Sequence, residues 1–499
     1  MKKTRKWASV LASLALSAGV LSACGGNEPA AQGEASGPYP LTLVVNQVGE
    51  IPNADNPIEN KIREYTNTDL SIQWIPYSAY DEKVNVMIAS DELPKLIKLN
   101  YTPTMISSIK SDLFWEIGPM LKDFPNLAAQ PQAYYDNIKV DGKVYGIPLY
   151  RDMGRAVVTY RQDWLDAAGL QPPKSVEDWY NIIKFSTEED PDKNGKRDTY
   201  GMMLDKAYNV GTASTLSRLA VSLGAPNKWG IDEQGNFYPE FEDETFFEVM
   251  KMFRKMYAER LINQDFAVVD ASELNKVYES GRANIRITGG NAQSLQTKLD
   301  AAVPGAVVGV APLQGPDGIR VPGESGNTGF LAIPKSKVAT EEEVRQILTF
   351  VDKLLDPEMV NVINKGIEGT HYKVAGEFTE VIDKDKDAQE VKPYRDTFPQ
   401  RGERYNMEKK AKETELSRRS RQIVFENEQY VVPNPALTLN SDTYYERGGE
   451  LEQMITDAQT KFIMGQIDEA AWKAEVKKWR ETGGDQIAKE YKESYESSK

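Results

Sequence analysis

An α/β fold is the class this sequence predicts, and three observations carry it. The body opens strand–helix–strand–helix–strand, an order that asks for parallel strand pairing through helical crossovers. Strand-like apolar runs then recur far along the chain, at 307–310 and 329–333. Finally, 499 residues with 40% hydrophobic and 27% charged side chains suffice for roughly two to four domain-sized units and exclude wholesale disorder.

The elements follow in order. Leu41, Leu43, Val44 and Val45 make a short strand closed by Asn46. Asn56, Pro57 and Glu59 read as a helix start, with Asn as N-cap, Pro in the first turn and Glu three residues on. Leu70, Ile72 and Trp74 alternate with polar residues, as a returning strand should. Val84, Val86, Met87 and Ile88 suit a second helix, stopped at Pro94 before a strand over 96–99. Ser175 and Asp178 form a capping-box pattern, and Val176, Trp179, Ile182 and Ile183 share one helical face. The polar stretch 378–423 yields no assignment. Leu451, Met454, Ile455, Ala458 and Phe462 make one C-terminal stripe; Trp472, Val476 and Trp479 make another, with Gly465, Gly483 and Gly484 as punctuation. There is no internal repeat.

Counts remove several function classes. Sixty Lys and Arg against 75 Asp and Glu leave a formal charge of −15, so no basic surplus is available for nucleic acid. One His and one Cys exclude an internal disulfide framework and a Cys/His zinc site. His371, with no second His to pair with, reads as structural.

The N-terminus sets the compartment. Lys2, Lys3, Arg5 and Lys6 precede an apolar run over 7–21, too short for a stable membrane span. Leu21-Ser22-Ala23-Cys24 resembles the lipobox of bacterial lipoproteins, which implies diacylation of Cys24 and a mature chain starting there. Residues 1–23 are then a signal peptide. Residues 24–38, rich in Gly, Ala, Glu, Pro and Ser, form a flexible tether. The expectation is a body lipid-anchored to the extracellular face of the cell membrane.

Several short stretches, in order, resemble extracellular solute-binding proteins of carbohydrate ABC importers, the maltose-binding-protein-like group. Met87-Ile88-Ala89-Ser90-Asp91-Glu92-Leu93-Pro94 is similar to that family's helix end, with Asp91 for the usual Gly. Gly142-Lys143-Val144-Tyr145-Gly146-Ile147-Pro148 resembles its hairpin ahead of the first interdomain crossing. Tyr160 to Leu165 with Gly169, then Pro173 to Trp179, resemble the helix pair after it. Gly281-Arg282-Ala283, the run from Gly366 to Tyr372, and Lys461 to Gly465 continue the pattern. The resemblance implies a two-lobed, type II periplasmic-binding-protein-like α/β fold with ligand between lobes. It places the crossings near 150–158, 308–314 and 368–374. The first lobe is then 39–154 plus 312–370, and the second is 155–311 plus 371–499.

Two constellations carry candidate chemistry. Asp190, Asp192, Asn194, the carbonyl of Lys196 and Asp198 fall at loop positions 1, 3, 5, 7 and 9, with Gly195 at 6. That is the oxygen spacing of an EF-hand-like calcium loop, so Ca²⁺ is the expected structural cofactor. Gly201 stands where position 12 calls for Glu. Thr199 stands where related alginate-oligosaccharide binders carry an acid. For the ligand, a pyranose offers an apolar face and a hydroxyl rim, so aromatic and polar side chains near the crossings are the candidates. These are Tyr150, Arg151, Asn291 beside Gly289 and Gly290, Glu324, Ser325 and Asn327. The helix-periodic Trp179, Trp472 and Trp479 read as core.

The function implied is an oligosaccharide-binding lipoprotein delivering to ABC permease subunits, a non-enzymatic monomer held at the membrane by its lipid. The alternatives are an extracellular hydrolase using paired carboxylates, or an oligopeptide-binding protein. No local arrangement singles out a carboxylate pair.

Overall fold

The computed structural model describes residues 37–47, 50–290, 292–399 and 410–497. Its first sheet is built from the opening elements. β1 (Tyr39–Gln47) pairs in parallel with β2 (Thr68–Pro76), Leu41 opposite Leu70 and Val45 opposite Trp74, and on its other side with β3 (Leu96–Leu99). Both crossovers are helical: α1 (Pro57–Thr66) and α2 (Tyr80–Ser90). Asn56 starts α1 through its side-chain oxygen, which accepts the Ile58 N–H at 2.8 Å. Ile58 and Ile62 on α1 are fully buried, each stabilising the core by about 1.5–3 kcal/mol. The strand Asn327–Ala332 joins the sheet antiparallel to β3, and β4 (Gly146–Tyr150) pairs antiparallel with it, giving a five-stranded sheet. A Cβ at Gly146 would lie 2.3 Å from the Phe330 ring, so only glycine permits that pairing.

The second sheet has three strands with β5 (Val157–Arg161) at its centre, between Arg286–Thr288 and Val308–Pro312. Its core gathers Trp179, Ile182 and Ile183 from the helix Val176–Glu188, which Ser175 caps by accepting the Asp178 N–H at 3.1 Å. Leu451, Ile455, Ala458 and Phe462 of the helix Asp442–Ile463 join this core, as do Trp472 and Trp479 of the helix Glu469–Trp479. The large Trp side chains are therefore packing residues.

Where the chain changes core marks the crossings. The first lies between Leu149 in one core and Ala156 in the other. The second comes later than the motif order implies, because Leu313 and Val321 still pack in the second core, and the first resumes only at Phe330. The third is displaced furthest. Residues 371–398 were expected in the second lobe, but Val391, Tyr394 and Phe398 are buried in the first core. Tyr394 donates to Glu59 at 2.8 Å and meets Trp74 edge-on at 5.6 Å, which ties the segment to the first sheet. The chain returns to the second lobe by the helix Glu415–Asn427, whose Ile423 and Val424 pack on Val157. That resolves much of the unassigned 378–423 stretch. Its described residues comprise the strand Phe378–Val381, which forms a hairpin with the preceding Tyr372–Ala375, short helical turns, and most of this helix.

His371 is fully buried in the first lobe. Its Nδ1 accepts the Ile367 N–H at 3.0 Å, so the proton sits on Nε2 and is donated to Glu390 at 2.9 Å. It staples the 366–371 turn to the later segment, a structural role.

Candidate functional site

The three parallel strands β1, β2 and β3 end along one edge of the first sheet, at Gln47, Pro76 and Leu99. β4 ends there at Tyr150, opposite Asn327, where the fifth strand begins. The carboxyl ends of parallel strands are where open α/β sheets hold ligands, and two of the crossings leave from this edge. The second sheet presents the start of β5 and the ends of its two outer strands, at Thr288 and Pro312, to the same region.

The crossing segments are bound to one another through backbone. Arg151 N–H donates to the Gly326 carbonyl at 2.9 Å, and Glu324 N–H to the Met153 carbonyl at 3.1 Å. Asn427 Nδ2 donates to the carbonyls of Gly154 and Ala156, each at 2.9 Å, and Glu428 accepts the Met153 N–H. Val321 and Pro322 pair in parallel with Val431 and Val432. Three strands of chain thus run side by side between the lobes, the arrangement that lets two rigid bodies rotate about a few residues.

The sequence-derived ligand residues divide on inspection of their contacts. Tyr150 is half-buried and packs edge-on against Tyr134 with centroids 5.4 Å apart. Arg151 is exposed on the rim, with Arg155, Glu324, Asp152 and the Tyr77 hydroxyl as its electrostatic neighbours. Glu324, in contrast, is committed to the protein: its two oxygens receive Arg218 at 2.9 Å and Arg155 at 3.3 Å. Asn327 is occupied locally, Oδ1 accepting from Gly329 N–H and Nδ2 donating to the Ser325 carbonyl, while the Ser325 hydroxyl donates to the Asn327 carbonyl. Asn291 and Cys24 lie outside the described residues. The neighbouring Gly289 sits against the crossing, where a Cβ would approach the Arg155 guanidinium to 2.9 Å, and Ser420 donates to the Gly290 carbonyl at 2.6 Å.

Three groups at this edge were not anticipated. Tyr77, in the turn that follows β2, is 71% exposed. An aromatic ring left in solvent at a strand end is the kind of surface a sugar face covers. Lys98 is the second. Only 4% exposed, it donates to Asn46 Oδ1 beneath the same edge, and burial pushes its pKa down to about 8. Arg218 is the third, on the helix Thr215–Ser222 and 7% exposed. Neither cation is marked by a local pattern, because each is defined by partners 52 and 106 residues away.

The oxygen-rich loop lies apart from this edge, after the helix Val176–Glu188 in the second lobe. Asp190 accepts the N–H groups of Asn194 at 3.2 Å and Gly195 at 3.0 Å. Asn194 Nδ2 bridges Asp192 at 2.8 Å and Asp198 at 3.0 Å. Burial, and then the adjoining Asp190 carboxyl, hold the Asp192 carboxyl above its ordinary range. Among the described residues no group of three or more His, Cys, Asp or Glu converges as a ready ligand set. Gly201 replaces the expected Glu for a steric reason, since a Cβ there would stand 2.3 Å from Ile183 Cα. Among the described residues no helix is long and apolar enough to cross a membrane.

Two lobes, three linked crossings and a polar, aromatic strand-end edge between them define a binding protein of the hinged, two-lobed class. The chain belongs to the bacterial extracellular solute-binding protein family, whose model matches residues 52–361. It is 35% identical to Lipoprotein LipO of Bacillus subtilis, covering 90% of this chain and 91% of that one. It is 30% identical to the polygalacturonan/rhamnogalacturonan-binding protein YtcQ of the same organism, over 99% of each chain. Among solved structures, an HMO-binding, ABC-transporter-associated solute-binding protein from Bifidobacterium longum infantis shares the fold with TM-score 0.73 at 16% identity. That match covers 92% of this chain and 99% of the other. The substrate-binding protein FusA of Streptococcus pneumoniae, in complex with kestose, has TM-score 0.66 at 16% identity over 92% and 99%.

Proposed function

We propose that this protein captures an extracellular oligosaccharide between its lobes and delivers it, chemically unchanged, to an ABC permease. The observation that carries the reading is the strand-end edge itself, where exposed Tyr77, half-buried Tyr150 and Arg151 border the crossings. Stacking rings beside polar and charged groups is what a pyranose requires. Its similarity to the polygalacturonan/rhamnogalacturonan-binding protein YtcQ and to the fructooligosaccharide ABC transporter substrate-binding protein FusA supports it. Calorimetric titration with an oligosaccharide panel tests it: saturable heat without new products is expected. Release of shorter sugars would favour the hydrolase instead, and saturable binding of peptides alone would favour the oligopeptide-binding reading.

The protein acts as a monomer anchored through Cys24, the only cysteine and the residue the lipobox requires. Two acyl chains supply the lasting anchorage that one cannot. Cys24→Ala is expected to abolish labelling by a fatty-acid probe and to release the protein from cells; an unlabelled wild type rejects the anchor.

Calcium binding in the 190–198 loop belongs to the same reading. Asp190, Asp192, Asn194 and Asp198 would hold the ion with the Lys196 carbonyl, and the ion would serve structure rather than chemistry. What supports it is the folded loop, in which carboxylates crowd round the Asn194 amide and Asp192 resists ionisation. A cation would relieve that crowding. Chelator should then lower the melting temperature of the wild type and leave Asp190→Ala/Asp192→Ala unmoved, since metal bound only by the native state stabilises it. Equal melting with and without chelator, together with no metal in the purified protein, rejects the site.

A further inference from the structure

The second lobe holds a cavity of about 360 Å³ between the helix Asp442–Ile463, the loop 209–212 and the turn that carries Lys228 and Glu240. Small-molecule sites span ~300–1,000 Å³, so this volume has room for a small ligand. The cavity adjoins the crossings. Asn434 on its wall follows Val432, which pairs with Pro322 of the second crossing. Ser217, bonded to both Lys228 and Glu240, precedes Arg218, the partner of Glu324.

The buried charges of the cavity cancel. Lys228 Nζ donates to Glu240 Oε1 at 2.7 Å and to the Ser217 hydroxyl at 2.9 Å, and Glu240 is 5% exposed. Glu452, on the exposed rim, accepts the Tyr444 hydroxyl at 2.7 Å. What remains is neutral and directional. Asn209 and Gln459 both line the cavity, 8% and 3% exposed. They bond to each other, Asn209 Nδ2 donating to Gln459 Oε1 at 2.8 Å, and Asn209 Nδ2 donates also to the Thr456 carbonyl at 3.2 Å. Asn209 Oδ1 and Gln459 Nε2 have no hydrogen-bond partner among the described residues.

One open acceptor beside one open donor is the complement of two neighbouring hydroxyls, each of which can donate and accept. Half-buried Trp229 and Phe241 supply apolar wall. They are held by edge-on contacts, Trp229 on Tyr491 at 5.0 Å and Phe241 on Trp479 at 4.9 Å. Aromatic wall beside paired polar groups matches the two characters of a sugar ring. We infer that this cavity is a saccharide subsite of the second lobe, which receives one end unit of the captured oligosaccharide through two neighbouring hydroxyls on Asn209 and Gln459. The inference rests on the sugar-binding reading above and adds to it an anchor away from the strand-end edge.

The test titrates the full chain calorimetrically with kestose, maltotriose, xylotriose and trigalacturonate, and repeats the tightest binder on two variants. Gln459→Glu keeps the oxygen that accepts from Asn209 and removes the open amide donor, so affinity should fall about tenfold or more. Val210→Trp sets an indole at the mouth of the cavity, where Val210 is 58% exposed and its replacement should leave folding intact. It should weaken the same sugar by about tenfold as well. Melting temperatures close to wild type establish that each variant is folded; if Gln459→Glu is not, Val210→Trp decides. Wild-type or tighter affinity in the deciding variant overturns the subsite and leaves sugar capture at the strand-end edge standing. If the wild type binds none of the saccharides, the sugar-binding reading falls and the subsite with it.

Discussion

Glu324→Ala is expected to destabilise the protein by about 3 kcal/mol, because it removes the only carboxylate paired with Arg218 among the described residues and leaves a buried guanidinium without that compensation. Glu324, expected from the sequence as a ligand contact, holds its two oxygens on two arginines at the crossing. It faces Arg155 from the first crossing and Arg218 from the second lobe, so one side chain ties two segments that must keep their spacing as the lobes move. Burial pushes the Arg218 guanidinium down and Glu324 pushes it back up, so loss of the acid exposes the full desolvation cost. Urea denaturation with matched slopes measures the change. A loss well under 1 kcal/mol would mean that the arginines relax into water and that the triad is not a support.

Tyr77→Ala should behave in the opposite way, leaving stability within about 0.5 kcal/mol of wild type while weakening oligosaccharide binding by about 2 kcal/mol, roughly 30-fold. The ring is 71% exposed, so little folding energy rests on it. Its position after β2, within electrostatic reach of Arg151, sets it at the strand-end edge of the proposed site. Tyr150 makes the comparison informative. Packed on Tyr134, Tyr150→Ala should lose both stability and affinity. Unaltered binding by Tyr77→Ala would remove this residue from the site.

Local signals and long-range ones were unequally legible. Asn56 and Ser175 cap their helices as their neighbours in sequence require, since a cap is a contact over two or three residues. The alternation of Leu70, Ile72 and Trp74 became β2, and the 96–99 strand fell where Pro94 released the chain. His371 was readable as structural from its solitude, although its partner Glu390 was not. Hidden from the sequence was everything assembled by distant contacts. Val391, Tyr394 and Phe398 do stand at helical spacing, but they are three apolar residues in an otherwise polar, charge-dense stretch, and nothing local says which core they enter. Arg218 reads as an ordinary helix arginine until the fold brings Glu324 beside it. Tyr77 carried no signal beyond its place at the end of an alternating strand.

Binding with hinge closure is tested most directly by small-angle scattering of the full chain with and without a saturating oligosaccharide found by titration. A ligand shifts the lobes only if it binds the closed form more tightly than the open one. The radius of gyration should therefore fall when the sugar is added and recover when it is dialysed away. A radius that stays fixed while calorimetry records saturable binding would contradict closure about the three crossings.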